Sequence, residues 1–229
     1  MLTSGEWSEA RLGYRFGDPA LLDAALTHRS AGKQNYERLE FLGDAVLNFA
    51  VAGLVFQAYP DADEGDLSRY RAALVSGQSL AEAAVGLGLG DQLRLGSGEL
   101  KTGGFRRSSI LSDALEAIFG AIYLDGGLEA ARAVIESVFS ARVATLPEAR
   151  DLKDPKTRLQ EWLQGRGERL PAYAVDEMSG EPHEHWFVAS CEVAGFGLRE
   201  LGEGSSRRRA EQSAAQRVLD ALANREESK

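Results

Sequence analysis

Five carboxylates stand where apolar helices should carry none. In the stretch from Asn35 to Tyr59, NYERLEFLGDAVLNFAVAGLVFQAY, the apolar residues Leu39, Leu42, Val46, Phe49 and Ala50 recur at helical spacing, yet Glu37, Glu40 and Asp44 interrupt them. Counting about 100° per residue, the three acids fall at about 0°, 300° and 340°, on one narrow face. A second apolar run, ILSDALEAIFGAIYLD from Ile110 to Asp125, carries Asp113 and Glu116 three residues apart. Burying ionised carboxylates near one another costs several kcal/mol per group unless a cation or a donor compensates. Two such helices can pack so that Glu40, Asp44, Asp113 and Glu116 converge, as carboxylate metal sites are built in helix bundles. Neither segment holds His or Cys, which argues against zinc and for Mg²⁺ or Mn²⁺, hard ions that take carboxylate and water. A solvated acidic helix face is the alternative reading of each segment.

Positioning these groups takes a helical framework. From Ser8 to Ser30 the chain reads as two short helices broken at Gly17 to Pro19, with Asp18 as N-cap, Pro19 in the first helical position and Leu21, Leu22, Ala25 and Leu26 facing the core. His28 reads as an ordinary hydrogen-bonded histidine. After the central helix the chain turns at Pro60, with Glu64 in the turn as a solvated residue. It restarts at Asp66 with Leu67, Tyr70, Ala73 and Leu74 inward, and a further helix follows from Ser79 to Leu87. The glycine-rich segment Arg94 to Ser109, with Lys101, Arg106 and Arg107, lacks the GxxxxGK spacing of a P-loop and suits either a flexible connection or a loop that approaches phosphates. Leu128 to Leu146 closes the helical part on Ala131, Val134, Ile135, Val138 and Phe139.

Beyond a polar join the pattern changes. Asp154 and Pro155 open a helix carrying Leu159, Trp162 and Leu163. From Tyr173 the period is two, with Tyr173 and Val175, then Phe187, Ala189, Cys191 and Val193, on one side, and a third short strand is expected from Gly195 to Leu201. A last helix from about Ser206 to Ala223 turns Ala210, Ala214, Val218 and Leu222 inward. The expected organisation is an all-α domain over residues 1–147, a linker at 148–153, an α+β (α-β-β-β-α) domain over 154–224 and a polar tail at 225–229. Arg207, Arg208 and Arg209 occupy the first turn of the last helix, where the macrodipole disfavours cations by a few tenths of a kcal/mol or more each. An anion reverses that penalty, so helix N–H groups plus arginines suggest a phosphate clamp.

The charge balance opposes nucleic acid as a partner, because the 229 residues carry a net charge of −9. Residues 151–229 hold 12 Lys and Arg against 15 Asp and Glu, net −3, so any RNA contact must rest on local clusters. One cysteine, Cys191, allows no disulfide within the chain, which suits a reducing cytoplasm. No basic start followed by an apolar run marks a signal peptide. Asp44, Asn48 and Gly53 make the central helix read as too polar for a membrane span.

ERLEFLGDAVL at Glu37 to Leu47, followed by LRLGSGELKTGGFRRSSILSDALEAIFGAIYLD at Leu93 to Asp125, resembles the signature of the ribonuclease III family, and the carboxyl-terminal third resembles a double-stranded-RNA-binding domain. The resemblance covers nearly the whole chain in the order of the bacterial enzymes. It implies a metal-dependent endoribonuclease that hydrolyses double-stranded RNA, leaving 5′-phosphate and short 3′ overhangs, and that processes ribosomal RNA precursors and some messengers in the cytoplasm. A non-cleaving double-stranded-RNA-binding protein of the same build is the alternative, and a small-molecule metallohydrolase with an accessory domain is a second.

With the resemblance, Glu40, Asp44, Asp113 and Glu116 are expected to hold Mg²⁺, for which Mn²⁺ can substitute, with Asp44 and Glu116 catalytic and Glu37 and Glu64 in an auxiliary role. Gln160, the turn residues Pro182 and His183, and Ser206, Arg207 and Arg208 are expected to meet RNA, reading shape across two minor grooves and the intervening major groove. Glu211 departs from the pattern, standing where many relatives have lysine, and Glu181 and Glu184 flank His183 with negative charge. Phe41, beside the acid face and away from the core stripe, is expected to be a knob that enters a socket on a second copy in a homodimer. No membrane and no small-molecule cofactor are expected.

Overall fold

The structure is a computed structural model that describes residues 2–180 and 185–227. The chain divides into two compact units, residues 1–149 and 150–229. Ala149 belongs to the first, where it is buried and its N–H donates to the Tyr70 hydroxyl (3.1 Å).

Among the described residues, the regular elements of the first unit are helical. Helix α1 (Ser4–Leu12) begins earlier than its apolar pattern suggests, because Thr3 and Glu6 form a reciprocal capping box. Helix α2 (Pro19–Ala25) starts as read, with the Asp18 side chain accepting from Ala20 N–H. Helix α3 (Glu37–Ala58) is the central rod. Helix α4 (Glu64–Leu74) is capped by Asp63, so Glu64 stands in its first turn rather than in the preceding loop. Helix α5 (Gly77–Gly86) is capped by Ser76. The glycine-rich segment is ordered into the short helix α6 (Ser97–Lys101) and a 3₁₀ turn at Gly104–Arg106.

Helix α7 (Ser108–Ala144) comprises two helical runs joined at Gly127, whose φ of 80° is open to glycine and strained for other residues. Just before the joint, Asp125 accepts hydrogen bonds from the Tyr14 hydroxyl (2.7 Å) and from the N–H groups of Gly17 and Asp18 (both 2.8 Å). That knot ties the α1–α2 connection to the end of the first run of α7.

The core lies where α3 lies against α7. Leu47, Val51 and Val55 of α3 and Leu111, Leu115, Ile118, Phe119 and Ile122 of α7 are buried, and each such side chain contributes about 1.5–3 kcal/mol when withdrawn from water. The two backbones touch. A β-carbon on Gly120 would lie 2.2 Å from the Leu39 carbonyl oxygen, so α7 carries glycine at the crossing. The helical period marks an apolar face on α3 but not which part of it finds a partner. Phe49, read as inward, is 62% exposed, and Phe56 is 69% exposed. Their stripe adds to the core-facing one, so by length and composition α3 is apolar enough to cross a membrane despite Asp44, Asn48 and Gly53.

In the second unit, helix α8 (Pro155–Gln164) starts at an Asp154 N-cap, followed by strands β1 (Ala172–Ser179), β2 (Trp186–Val193) and β3 (Leu198–Gly204) and helix α9 (Arg207–Glu227). The strands form an antiparallel sheet in the order β1-β2-β3, with an irregularity in β1 between Val175 and Glu177. The third strand lies later than its pattern suggests, because residues 194–196 form a 3₁₀ turn and Gly197 reverses the chain at φ 58°. The core joins Leu159 and Leu163 of α8, Cys191 and Val193 of β2, Leu198 of β3, and Ala214, Ala215, Val218 and Leu222 of α9. A β-carbon on Gly202 would lie 2.1 Å from the Ala214 nitrogen, so glycine in β3 lets α9 settle on the sheet.

Candidate active site and nucleic-acid interface

The crossing of α3 and α7 brings the acids together. Glu40, Asp113 and Glu116 each offer a carboxylate oxygen within 4.8 Å of the others, and all three are half-buried. Packing holds them there, since Leu39 and Gly43 of α3 and Ser112 and Leu115 of α7 are buried on either side. Burial and then the charges of Asp44, Asp113 and Glu40 push the Glu116 carboxyl up to about 8. Glu40 is raised by burial and by Asp113, Glu37 and Asp44. Asp113 is raised by burial, against a hydrogen bond from Ser112 and the influence of His28. Such a trio is poorly stable with all members ionised, and a divalent cation reverses that logic. The donor set is all oxygen and suits a hard ion. The residues present therefore fit a divalent metal.

Asp44, expected in the cluster, lies close enough to raise Glu116 and Glu40 but is not one of the converging three. The Asn48 amide one turn later donates to its Oδ1 (2.9 Å) and to its carbonyl oxygen (3.0 Å), holding the exposed carboxylate at the rim. Glu37 is also at the rim, 3.6 Å from the Arg29 guanidinium. Glu64 is exposed on α4, where it accepts from the Ser68 hydroxyl (3.1 Å), and is not in the trio.

A cleft of about 280 Å³ opens beside the trio, and Glu40 and Asp113 are in its wall. The wall also contains His28 and Arg107, and with them Arg29 and Tyr36, which the sequence pattern does not single out. The His28 ring is 8% exposed; its Nδ1 accepts from Ser30 N–H (3.1 Å) and meets the Ser30 hydroxyl (2.7 Å), which in turn accepts from Gly96 N–H (2.9 Å). The segment before α6 is thereby tied to the cleft wall. Arg107 pairs with Glu99 (3.0 Å) at the start of α7.

Phe41 is 83% exposed on α3. It borders an open groove of about 1090 Å³ whose apolar members include Leu21, Leu42 and Leu124.

In the second unit, Gln160 is exposed on α8, and Arg207 and Arg208 are exposed at the start of α9. Ser206 caps that helix, its hydroxyl accepting from Arg209 N–H (3.3 Å). Pro182 and His183 lie outside the described residues.

A model of the Ribonuclease-III-like family matches residues 18–143, and a model of the double-stranded RNA binding motif matches residues 155–222. Ribonuclease 3 of Nitrosococcus oceani is 55% identical over 214 residues, spanning 93% of this chain and 92% of that protein. Ribonuclease 3 of Alkalilimnicola ehrlichii is 52% identical over 227 residues, spanning 99% and 100%. The crystal structure of the nuclease domain of ribonuclease III from Campylobacter jejuni matches at a TM-score of 0.58 and 45% identity, covering 62% of this chain and 97% of that one. A second structure of that domain, reported for flexibility in a region involved in dimer formation, matches at 0.56 and 48%, covering 59% and 98%.

Proposed function

The chain belongs to the ribonuclease III family, and on that premise we propose how its residues divide the work of cutting duplex RNA. It is an endoribonuclease directed at double-stranded RNA. The observation that carries the division of labour is the convergence of Glu40, Asp113 and Glu116 within 4.8 Å, in the unit that matches the nuclease family.

Glu40, Asp113 and Glu116 would hold Mg²⁺, with Asp44 beside them on the same helix face as Glu40. When bound, the ion supplies Lewis-acid polarisation and a nucleophile from water at neutral pH. Glu116, whose carboxyl burial and its acidic neighbours push up to about 8, would bind the ion as the carboxylate, its proton passing to solvent. Arg29 and Arg107 offset the negative charge of the cleft wall where a phosphate must enter. Glu37 orients Arg29 through their ion pair. Glu64 stands apart as an auxiliary acid on the substrate side.

The second unit binds the duplex. Gln160 faces a minor groove, while Ser206, Arg207 and Arg208 present helix N–H groups and guanidinium groups to phosphates. Phe41 enters the groove near Leu21 and Leu124 of a second copy, and the two-fold dimer supplies one acid cluster to each strand. Cuts on both strands then leave 5′-phosphates and short 3′ overhangs on ribosomal RNA precursors and some messengers, in the cytoplasm.

Incubation of the purified chain with duplex and single-stranded RNA, with Mg²⁺ and with chelator, tests this reading. Expected is cleavage of the duplex alone, and only with the ion.

A further inference from the structure

Two of the three arginines that open α9 are already ion-paired. Arg207 Nε donates to Glu211 Oε1 (2.8 Å) one turn later, and Arg208 Nη2 donates to Asp154 Oδ2 (3.3 Å) on the N-cap of α8. Glu211 is held from its other side by Lys156 Nζ (2.5 Å), whose ammonium also lies 4.2 Å from the centre of the Tyr173 ring. Asp154 additionally accepts from Lys156 N–H (2.9 Å) and from the Gln212 amide (2.5 Å). Both carboxylates are built into the domain. The Glu211 side chain is 8% exposed, whereas Arg207 and Arg208 are 68% and 79% exposed. Burial works to raise both carboxyls, but the hydrogen bonds and cations around them draw each below its usual range, so both are ionised near neutral pH.

We propose that Glu211 and Asp154 are internal stand-ins for RNA phosphate, which engage Arg207 and Arg208 in the free protein and thereby set how weakly the domain holds a duplex. This rests on the reading of the arginine pair as a phosphate clamp. A phosphate that displaces a carboxylate from its arginine must replace an existing ion pair. A phosphate that binds the outer edge of the guanidinium instead stays within repulsive range of the carboxylate. Either way the net gain per arginine is smaller than for an untethered one. The arrangement gives a nuclease that must release cut duplex a binding domain of limited grip, consistent with the net charge of −3 over residues 151–229.

The test is fluorescence anisotropy of the full chain on a duplex of about 20 base pairs, long enough for one such domain. It is run in chelator to prevent cleavage, across a range of salt. E211Q and D154N keep side-chain shape, and asparagine remains a good N-cap for α8. Each should tighten binding by about two- to fivefold, the range of an exposed ion pair. The double variant should steepen the slope of log affinity against log salt by about one to two units. R207A/R208A should weaken binding; in that background D154N should no longer change affinity, and E211Q should keep at most the part that comes from releasing Lys156. Unchanged or weaker binding by E211Q and D154N, with R207A/R208A still weakening it, would show that the carboxylates only orient the arginines and overturns the proposal. No effect of R207A/R208A overturns the clamp, and the proposal with it. If thermal melts show that E211Q unfolds, D154N alone decides.

Discussion

Gly43 of α3 sits against the backbone of Glu116 so closely that a β-carbon on it would lie 1.8 Å from the Glu116 carbonyl oxygen. Alanine there must force the helices apart at the point where the acids converge. Gly43→Ala should destabilise by about 1–3 kcal/mol or more, as overpacking does. Gly53→Ala, on the same helix with open space around it, should be neutral or stabilising by about 0.5–1 kcal/mol. Denaturant midpoints of the two variants check this; equal midpoints would remove the close approach as the reason for glycine.

The elements and the acid faces were legible because both are local. The periods in Leu39 to Ala50 and Ile110 to Asp125, and the proline-led starts at Pro19 and Pro155, depend on neighbours in sequence. What the sequence hid depends on a distant partner. The apolar stripe of α3 does not say that Phe49 lacks a covering helix, and nothing near Gly43 announces that Glu116 will lie over it. Asp44, expected among the converging acids from its place on the helix face, stands outside the trio, where its carboxylate accepts from Asn48 one turn on. Glu211 was read as a departure from a basic pattern. Its place beneath Arg207 and beside Lys156 follows only from packing α8 on α9.

Acidity of the cluster should be visible in stability. Without metal, the folded chain keeps a proton on Glu116 up to about pH 8, whereas the ordinary value, held by the unfolded chain, is 4.5. The folded state therefore gains stability that is fully present below about pH 4.5 and is lost as pH rises through about 8. Glu40 and Asp113 act in the same direction. In chelator, the melting temperature of wild type should fall behind that of Glu116→Gln across this window, and Mg²⁺ should close the gap by stabilising the wild type. A constant gap from pH 5 to 8, with or without the ion, contradicts the coupling.

Assembly can be examined apart from chemistry. Phe41→Ala removes the ring that borders the groove of Leu21, Leu42 and Leu124 without touching the acid trio. Sedimentation should show a wild-type dimer at micromolar concentration and a weakened one for the variant. Phe49→Ala, on the exposed face two turns along α3, gives the comparison. A wild-type monomer that still cuts both strands at once would dispose of the dimer.

The most direct measurement is a denaturing gel of end-labelled duplex RNA incubated with wild type and with Glu116→Gln, with and without Mg²⁺, beside a native gel of the same mixtures. Wild type should cut only with the ion. Glu116→Gln should leave the duplex intact at saturating Mg²⁺ yet shift it on the native gel as wild type does, because a neutral amide removes a ligand charge from the nuclease unit and leaves the binding unit unchanged. Cleavage by Glu116→Gln within about tenfold of wild type, a loss of less than about 1.4 kcal/mol, would contradict the assignment of the acid cluster as the catalytic metal site.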